Sequence, residues 1–484
     1  MPVSKYRTSC RGTGFRPKSG GPLCFGSQTK PACPATIPHG GLAPYTVAVA
    51  TVLYFVSCLE AYSIAGIPLQ YVGQVGWLIA AVFMLRGGSR PRVAGRAPFV
   101  AFFLWALGVT AVRMVSGDYW ERMPVQATTS YPIFVSLRFL NIAVFWAVAN
   151  LTIRVTTSLS GETLTRRVLL VSALVALGSV YMYFAPFTGL PDLPRTRIHT
   201  DGGEPRVLEG TYGFFRARGP FREPSHLAEW LLLPLFLSFA VDGIVGTMYR
   251  VLFGVVMVLT GALTGFLSFL VGVTVAFAAQ LAEPRQLWRS ARRSLAALSV
   301  AAGVGGALVM NSTVERGEVF KVLWGRTARL WEGGLGASNR DYIYRYVATR
   351  GIPAFGVGLG HANIELAESI GFWLPASHLS LYLNVLYAAG PVGLALLGGV
   401  LAAPVLRLLR GGRRVVGREA WVLGAYAAVL TAFAVRAEEP YPSAGLLFGL
   451  LAARALSRRN TCSGFGSLSR RFGGRRVAQE QLLA

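Results

Sequence analysis

Twelve stretches of mostly apolar residues, each roughly 15 to 25 residues long, follow one another along this 484-residue chain. A helix rising 1.5 Å per residue needs about 20 such residues to cross ~30 Å of hydrocarbon, so each stretch has the length of a membrane span. The runs lie at about 43 to 60, 69 to 85, 97 to 115, 132 to 153, 168 to 187, 227 to 241, 247 to 260, 262 to 281, 294 to 312, 379 to 406, 420 to 436 and 444 to 457. The stretch 251 to 281 would pass for one long helix, but Thr260-Gly-Ala-Leu-Thr-Gly265 offers a turn that divides it. Composition agrees: 53% of residues are hydrophobic, 14% are charged and the mean hydropathy is +0.48. The expected fold is all-α, a polytopic membrane protein with about 12 transmembrane helices.

Charge gives this arrangement a direction. With both termini in the cytoplasm, the inner segments hold 30 of the 47 basic residues and 5 of the 22 acidic ones, which accounts for the whole net charge of +25. That is the arrangement the excess of Lys and Arg in cytoplasmic loops requires. The basic balance therefore reports topology and anionic lipid, and no nucleic acid is expected as a partner. Residues 1–42 carry Lys5, Arg7, Arg11, Arg16, Lys18 and Lys30 with no acid, and read as a basic, disordered cytoplasmic tail without a cleavable signal peptide. Residues 43–457 form the membrane domain, and 458–484 are a second basic tail. Cysteines at 10, 24, 33, 58 and 462 form neither a disulfide framework nor a zinc spacing.

Two long segments, 188–226 and 313–378, are then external, yet both hold arginines that topology alone disfavours. Arg113, Arg138, Glu229 and Arg436 likewise fall at the outer ends of spans, whereas the inner parts of the spans are nearly free of charge. Charge in lipid is costly, so this asymmetry points to a site at the level of the outer leaflet.

The densest cluster is Arg216-Ala-Arg-Gly-Pro-Phe-Arg-Glu-Pro-Ser-His226. Arg216, Arg218 and Arg222 can bind a diphosphate through paired guanidinium hydrogen bonds, or can meet lipid headgroups and pair with Glu209 and Glu223. Glu223 precedes Pro224, which predicts an extended residue and a helix beginning just beyond it, with Ser225 as its N-cap. The second external segment supplies Arg326, Arg329, Arg340, Arg345 and Arg350. It continues with Pro353-Ala-Phe-Gly-Val-Gly-Leu-Gly360, whose amides can face an anion or whose glycines simply shape a turn. No Gly-Lys-Ser/Thr follows, which excludes a nucleotide-binding loop. His378 stands at the mouth of the run 379 to 406 beside Ser377 and Ser380. A histidine there can take a proton from a sugar hydroxyl near neutral pH, or can simply be an interfacial residue bonded to a loop.

At these residues the chain resembles the O-antigen ligase and O-antigen polymerase family of polytopic membrane glycosyltransferases. The likeness runs from about 210 to 406. Arg216-x-x-Gly219-x-Phe221 followed by Pro224-Ser225 is similar to the family's Arg-x-x-Gly-x-Phe and Asn-Pro-Asn element. Pro353-x-Phe-Gly-x-Gly358, then His378 ahead of Tyr382-Leu-Asn-Val-Leu and Gly390-Pro-Val-Gly393, is similar to its late loop and Gly-x-x-Gly helix. The arginine of the family's Thr-x-Ser-Arg-Gly turn is absent from Thr260–Gly265, so Arg340 or Arg345 would replace it.

The resemblance implies transfer of a glycan from an undecaprenyl diphosphate carrier to an acceptor hydroxyl at the external face of the cytoplasmic membrane. It implies Arg216, Arg218, Arg340 and Arg345 on the diphosphate, His378 or else Glu223 as proton acceptor, and neither metal nor other cofactor. The partners it implies are the undecaprenyl-diphosphate-linked glycan, the lipid bilayer and other polysaccharide assembly proteins. A flippase for polysaccharide or lipid-linked oligosaccharide is the rival reading, although alternating access usually brings midplane polar groups and a repeat between halves, and neither is visible here. A non-catalytic scaffold of a polysaccharide assembly complex explains the spans but not the external arginines.

Overall fold

The structure, a computed structural model, describes residues 43–86, 93–123, 129–158, 161–191, 193, 195–196, 216–281, 284–311, 341–372, 374–411, 415 and 417–456. A helix occupies each of the twelve apolar runs. In chain order the elements are α1 (Ala43–Val56), β1 (Ser63–Ile64), β2 (Ile67–Pro68), α2 (Leu69–Arg86), α3 (Arg96–Ser116), α4 (Tyr119–Arg122), α5 (Tyr131–Ser158) and α6 (Gly161–Thr188). Then follow α7 (Pro224–Phe239), α8 (Gly243–Thr260), α9 (Leu263–Gln280), α10 (Pro284–Asn311), α11 (Asp341–Arg350), α12 (His361–Ser369), α13 (Leu381–Arg410) and α14 (Arg418–Val435). A last helix, α15, covers Pro442–Leu456. The two strands are two residues each, paired Ser63 to Pro68 and Ile64 to Ile67 around a tight turn, and they are a small departure from an all-α fold.

Among the described residues seven helices (α3, α5, α6, α8, α9, α13 and α14) are long and apolar enough to cross a membrane, and α1, α2, α15 and the Leu295–Leu308 part of α10 are shorter apolar helices. Leu104, Leu107 and Val112 on α3, Leu170, Leu174 and Leu177 on α6, and Leu267 and Leu270 on α9 are all exposed. An aqueous surface would not tolerate leucine at that density, whereas lipid does. The chain is a multi-pass membrane protein.

The centre of the bundle is α7. Every residue from Leu227 to Phe239 is buried, and the helix packs against α6, α8, α9 and α14. Close approach between α9 and α14 depends on Gly272 and Gly424, since a Cβ on either would stand 2.5 Å from the other's carbonyl oxygen. Small residues of this kind let helix backbones meet in lipid, where burial of apolar area gives little drive. The division read at Thr260 is present: Gly261 turns the chain in the left-handed region (φ 53°) between α8 and α9.

The glycine turn 353–360 serves a kink. Within α13, Gly390 adopts φ 69°, ψ −177°, and Pro391 has no N–H for the Tyr387 carbonyl four residues earlier. Val357 donates to that Tyr387 carbonyl at 2.9 Å, Gly358 to Ala388 O at 2.8 Å and the Trp105 indole to Ala389 O at 2.7 Å. Gly356 has φ 85°, and a Cβ on it would meet Ala388 O at 2.4 Å. The amides of Val357 and Gly358 therefore complete a broken helix, which answers the choice between anion cradle and turn for these two donors.

Candidate functional site

A cluster of charged residues gathers at one end of the bundle. The end of α1, the starts of α2, α5, α7 and α15, and the segment after α14 surround a cleft of about 430 Å³. Its polar lining includes Glu60, Arg138, Arg222, Glu223, His226, Glu229, Arg436, Glu438 and Glu439.

Two ionic knots form its walls. In the first, Pro224 at the first helical position sets the start of α7, and Glu223 in extended backbone (φ −132°, ψ 150°) is the N-cap. Ser225 lies inside the helix rather than capping it, because the proline's fixed φ starts the helix one residue earlier. Its hydroxyl donates to Glu223 Oε2 at 3.2 Å and accepts from Arg436 Nε at 3.1 Å. Arg436 also pairs with Glu223 and reaches His226 Nε2 at 3.2 Å. The other ring nitrogen of His226 stands 2.7 Å from Glu60 Oε2. Burial pushes the Glu223 carboxyl up, but Arg436 and His226 outweigh it and hold the group below the usual carboxylate range. One turn along α7, Glu229 is 6% exposed and its Oε1 has no hydrogen-bond partner among the described residues.

The second knot is centred on Arg138 of α5. It pairs with Glu439 and lies 3.6 Å from Glu438, while Asn141 also donates to Glu439. Glu438 accepts from Asn363 and from the His378 backbone N–H at 3.1 Å. The two neighbouring carboxylates diverge. Burial raises both, but Arg138 and His378 bring Glu438 down to about 2, whereas Glu439, with the Glu438 charge added, stays above the usual range.

The sequence-predicted residues divide between this cleft and its surroundings. Glu223 and Arg222 line it, and Arg222 is exposed and makes no ion pair among the described residues. Arg216 and Arg218 lie just outside the lining, each half-buried; Arg216 Nε donates to Thr260 O at 2.7 Å. The intervening backbone is tied down by Ala217 N–H to Leu259 O (2.8 Å) and by buried Phe221 against Trp230. Gly219 (φ 52°) is required there, since a Cβ would come within 2.0 Å of Ser179 Oγ. His378 is 1% exposed, stacked on Tyr387, with both ring nitrogens lacking a hydrogen-bond partner among the described residues. Its Nδ1 stands 3.7 Å from Glu438 Oε1, so one carboxylate separates it from the cleft. His361 is buried and engaged by Val357 O and the Tyr131 hydroxyl, which makes it a structural residue. Arg345 is exposed on α11, and Arg326, Arg329 and Arg340 lie outside the described residues.

Sequence reasoning missed Glu60, Glu438 and Glu439. The pair Glu438-Glu439 sits between two apolar runs two residues after Arg436, and unmatched Arg138 and Arg436 in spans were the signal that such partners exist. Among the described residues no group of three or more His, Cys, Asp or Glu is placed to hold a metal ion.

The sequence matches no protein-family model, and no curated protein matches it closely enough to count as a relative. The resemblance stated above thus rests on its short motifs and their order.

Proposed function

We propose that the chain is a glycosyltransferase of the cytoplasmic membrane, with about twelve spans and both termini in the cytoplasm. It polymerises a glycan carried on undecaprenyl diphosphate, or transfers it to another acceptor, at the external face. The observation that carries this reading is the cleft itself. All the segments around it fall on the side that charge counting makes external, the face to which a lipid-linked diphosphate would be presented.

In this reading Arg222 at the rim, with Arg216 and Arg218 on the same segment, meets the diphosphate and stabilises the charge that develops on it as the anomeric bond breaks. A single displacement inverts the anomeric carbon. Of the proton acceptors read from the sequence, Glu223 faces the cleft but is held ionised by Arg436, and His378 is sealed behind Glu438. The transporter reading gains no support from the cleft, because its charges cluster at one end of the bundle.

Glycan analysis of cells deleted for this chain tests the proposal. A polymerase deletion leaves single lipid-linked repeats at the outer face, and a ligase deletion accumulates long lipid-linked chains. Repeats trapped on the inner face would instead identify a flippase and overturn the reading.

A further inference from the structure

We infer that His226, oriented by Glu60, is the group that takes the proton from the acceptor hydroxyl in this cleft; the inference rests on the glycosyl-transfer reading above. Three observations lead to it. First, His226 lines the cleft, whereas His378 does not. Second, its tautomer is fixed. Glu60 Oε2, at 2.7 Å, accepts the Nδ1 proton, and an Arg436 N–H points at Nε2 from 3.2 Å, which requires a lone pair there. An imidazole held by a carboxylate on one nitrogen, with a lone pair on the other that an incoming hydroxyl can claim from Arg436, is the arrangement a general base needs. Third, the surroundings favour the cation that forms. Glu60 bonds the ring, and Glu223 and the buried Glu229 share the cleft lining with it, against Arg436 at Nε2 and Arg222 in the same lining. Glu438 and Glu439 across the cleft are engaged by Arg138.

The acceptor hydroxyl displaces Arg436 at Nε2, leaving that guanidinium to Glu223 or to the donor diphosphate. The hydroxyl oxygen bonds to the anomeric carbon as the bond from that carbon to the diphosphate oxygen breaks, with its electron pair going to the diphosphate. The hydroxyl proton passes to Nε2, and the imidazolium, paired with Glu60, returns it to water after product leaves. Glu60 touches no reacting atom and is a positioning residue. Glu229, three residues along the same helix, is buried in the same lining.

The test uses the full chain in lipid nanodiscs, given an undecaprenyl-diphosphate-linked oligosaccharide over a range of pH. His226→Ala should turn over ~10²- to 10⁴-fold more slowly with donor half-saturation little changed, the usual cost of losing a general base. Free imidazole should restore part of that rate. His226→Gln retains an amide that can bond Glu60 and Arg436, so it should show the same loss even where the alanine variant assembles poorly. Glu60→Gln should keep measurable turnover and move the acidic limb of the pH–rate profile to lower pH, because a neutral amide no longer favours the imidazolium. That movement separates positioning from mere support of the fold. Wild-type turnover with an undiminished rate in His226→Gln would overturn this assignment alone. A wild-type chain that forms no glycosidic bond would overturn the parent reading and the assignment with it.

Discussion

Arg138→Met offers the sharpest physical test of the cleft, because it removes a cation shared by Glu438 and Glu439 while conserving most of the side-chain volume. Arg138 and Glu438 are only 17% and 13% exposed, so solvent screens their interaction weakly. The Glu438 carboxyl, ordinarily at 4.5, sits at about 2 in the folded chain. A displacement of that size corresponds to about 3 kcal/mol of stability at neutral pH, the lower end of the ~3–5 kcal/mol expected when one partner of a buried pair is lost. His378 also holds Glu438 down, so the variant should lose about 2–3 kcal/mol, read as the unfolding free energy in mixed detergent micelles. Adding Glu438→Gln and Glu439→Gln to the methionine variant should restore most of it, since no uncompensated charge then remains.

The pH dependence carries a definite sign. A carboxyl held low in the folded state stabilises the fold fully above its ordinary value and loses that contribution as pH falls from about 4.5 toward about 2. Glu439, held high, works in the opposite sense, so the measurement belongs in a Glu439→Gln background. There the acid limb should be present with Arg138 and much reduced without it. A loss below about 1 kcal/mol, the size of a solvated surface pair, would refute the claim that these charges are buried and coupled.

Other consequences are as direct. Gly390→Ala forces a β-carbon into a left-handed residue within 2.6 Å of Ala354 O, and should lower stability by about 2–3 kcal/mol in the same unfolding assay; a neutral result would mean that the α13 kink relaxes freely. With the native cysteines removed, Leu190→Cys should react with a membrane-impermeant maleimide in intact cells and Leu281→Cys only after lysis, both positions being exposed; the reverse pattern would invert the topology. Turnover should persist in EDTA, because guanidinium groups carry the diphosphate charge, and a loss restored by magnesium would contradict that role.

Much of the architecture was legible because its causes are local. Each apolar run became a helix, Gly261 made the turn, and Pro224 after Glu223 set the start of α7. The site was legible only in part, since its partners lie far apart in sequence. Arg436 meets Glu223 across 213 residues and Arg138 meets Glu439 across 301. Charge placement signalled that Arg138, Glu229 and Arg436 have a purpose at the outer ends of spans, but not which carboxylates answer them. His226 was visible within the Arg216–His226 cluster. Its rank over His378 emerges from its place in the cleft lining and from Glu60, which the chain supplies just beyond α1. The glycine turn shows the converse: a pattern suited to an anion is occupied by the carbonyls of Tyr387 and Ala388.

The central claim is bond formation at the expense of a lipid diphosphate, and its stoichiometry is the most direct measure. The full chain reconstituted in liposomes with undecaprenyl-diphosphate-linked oligosaccharide should free one undecaprenyl diphosphate for each glycosidic bond formed. Movement of intact donor between leaflets, with neither diphosphate release nor a longer glycan, would contradict it.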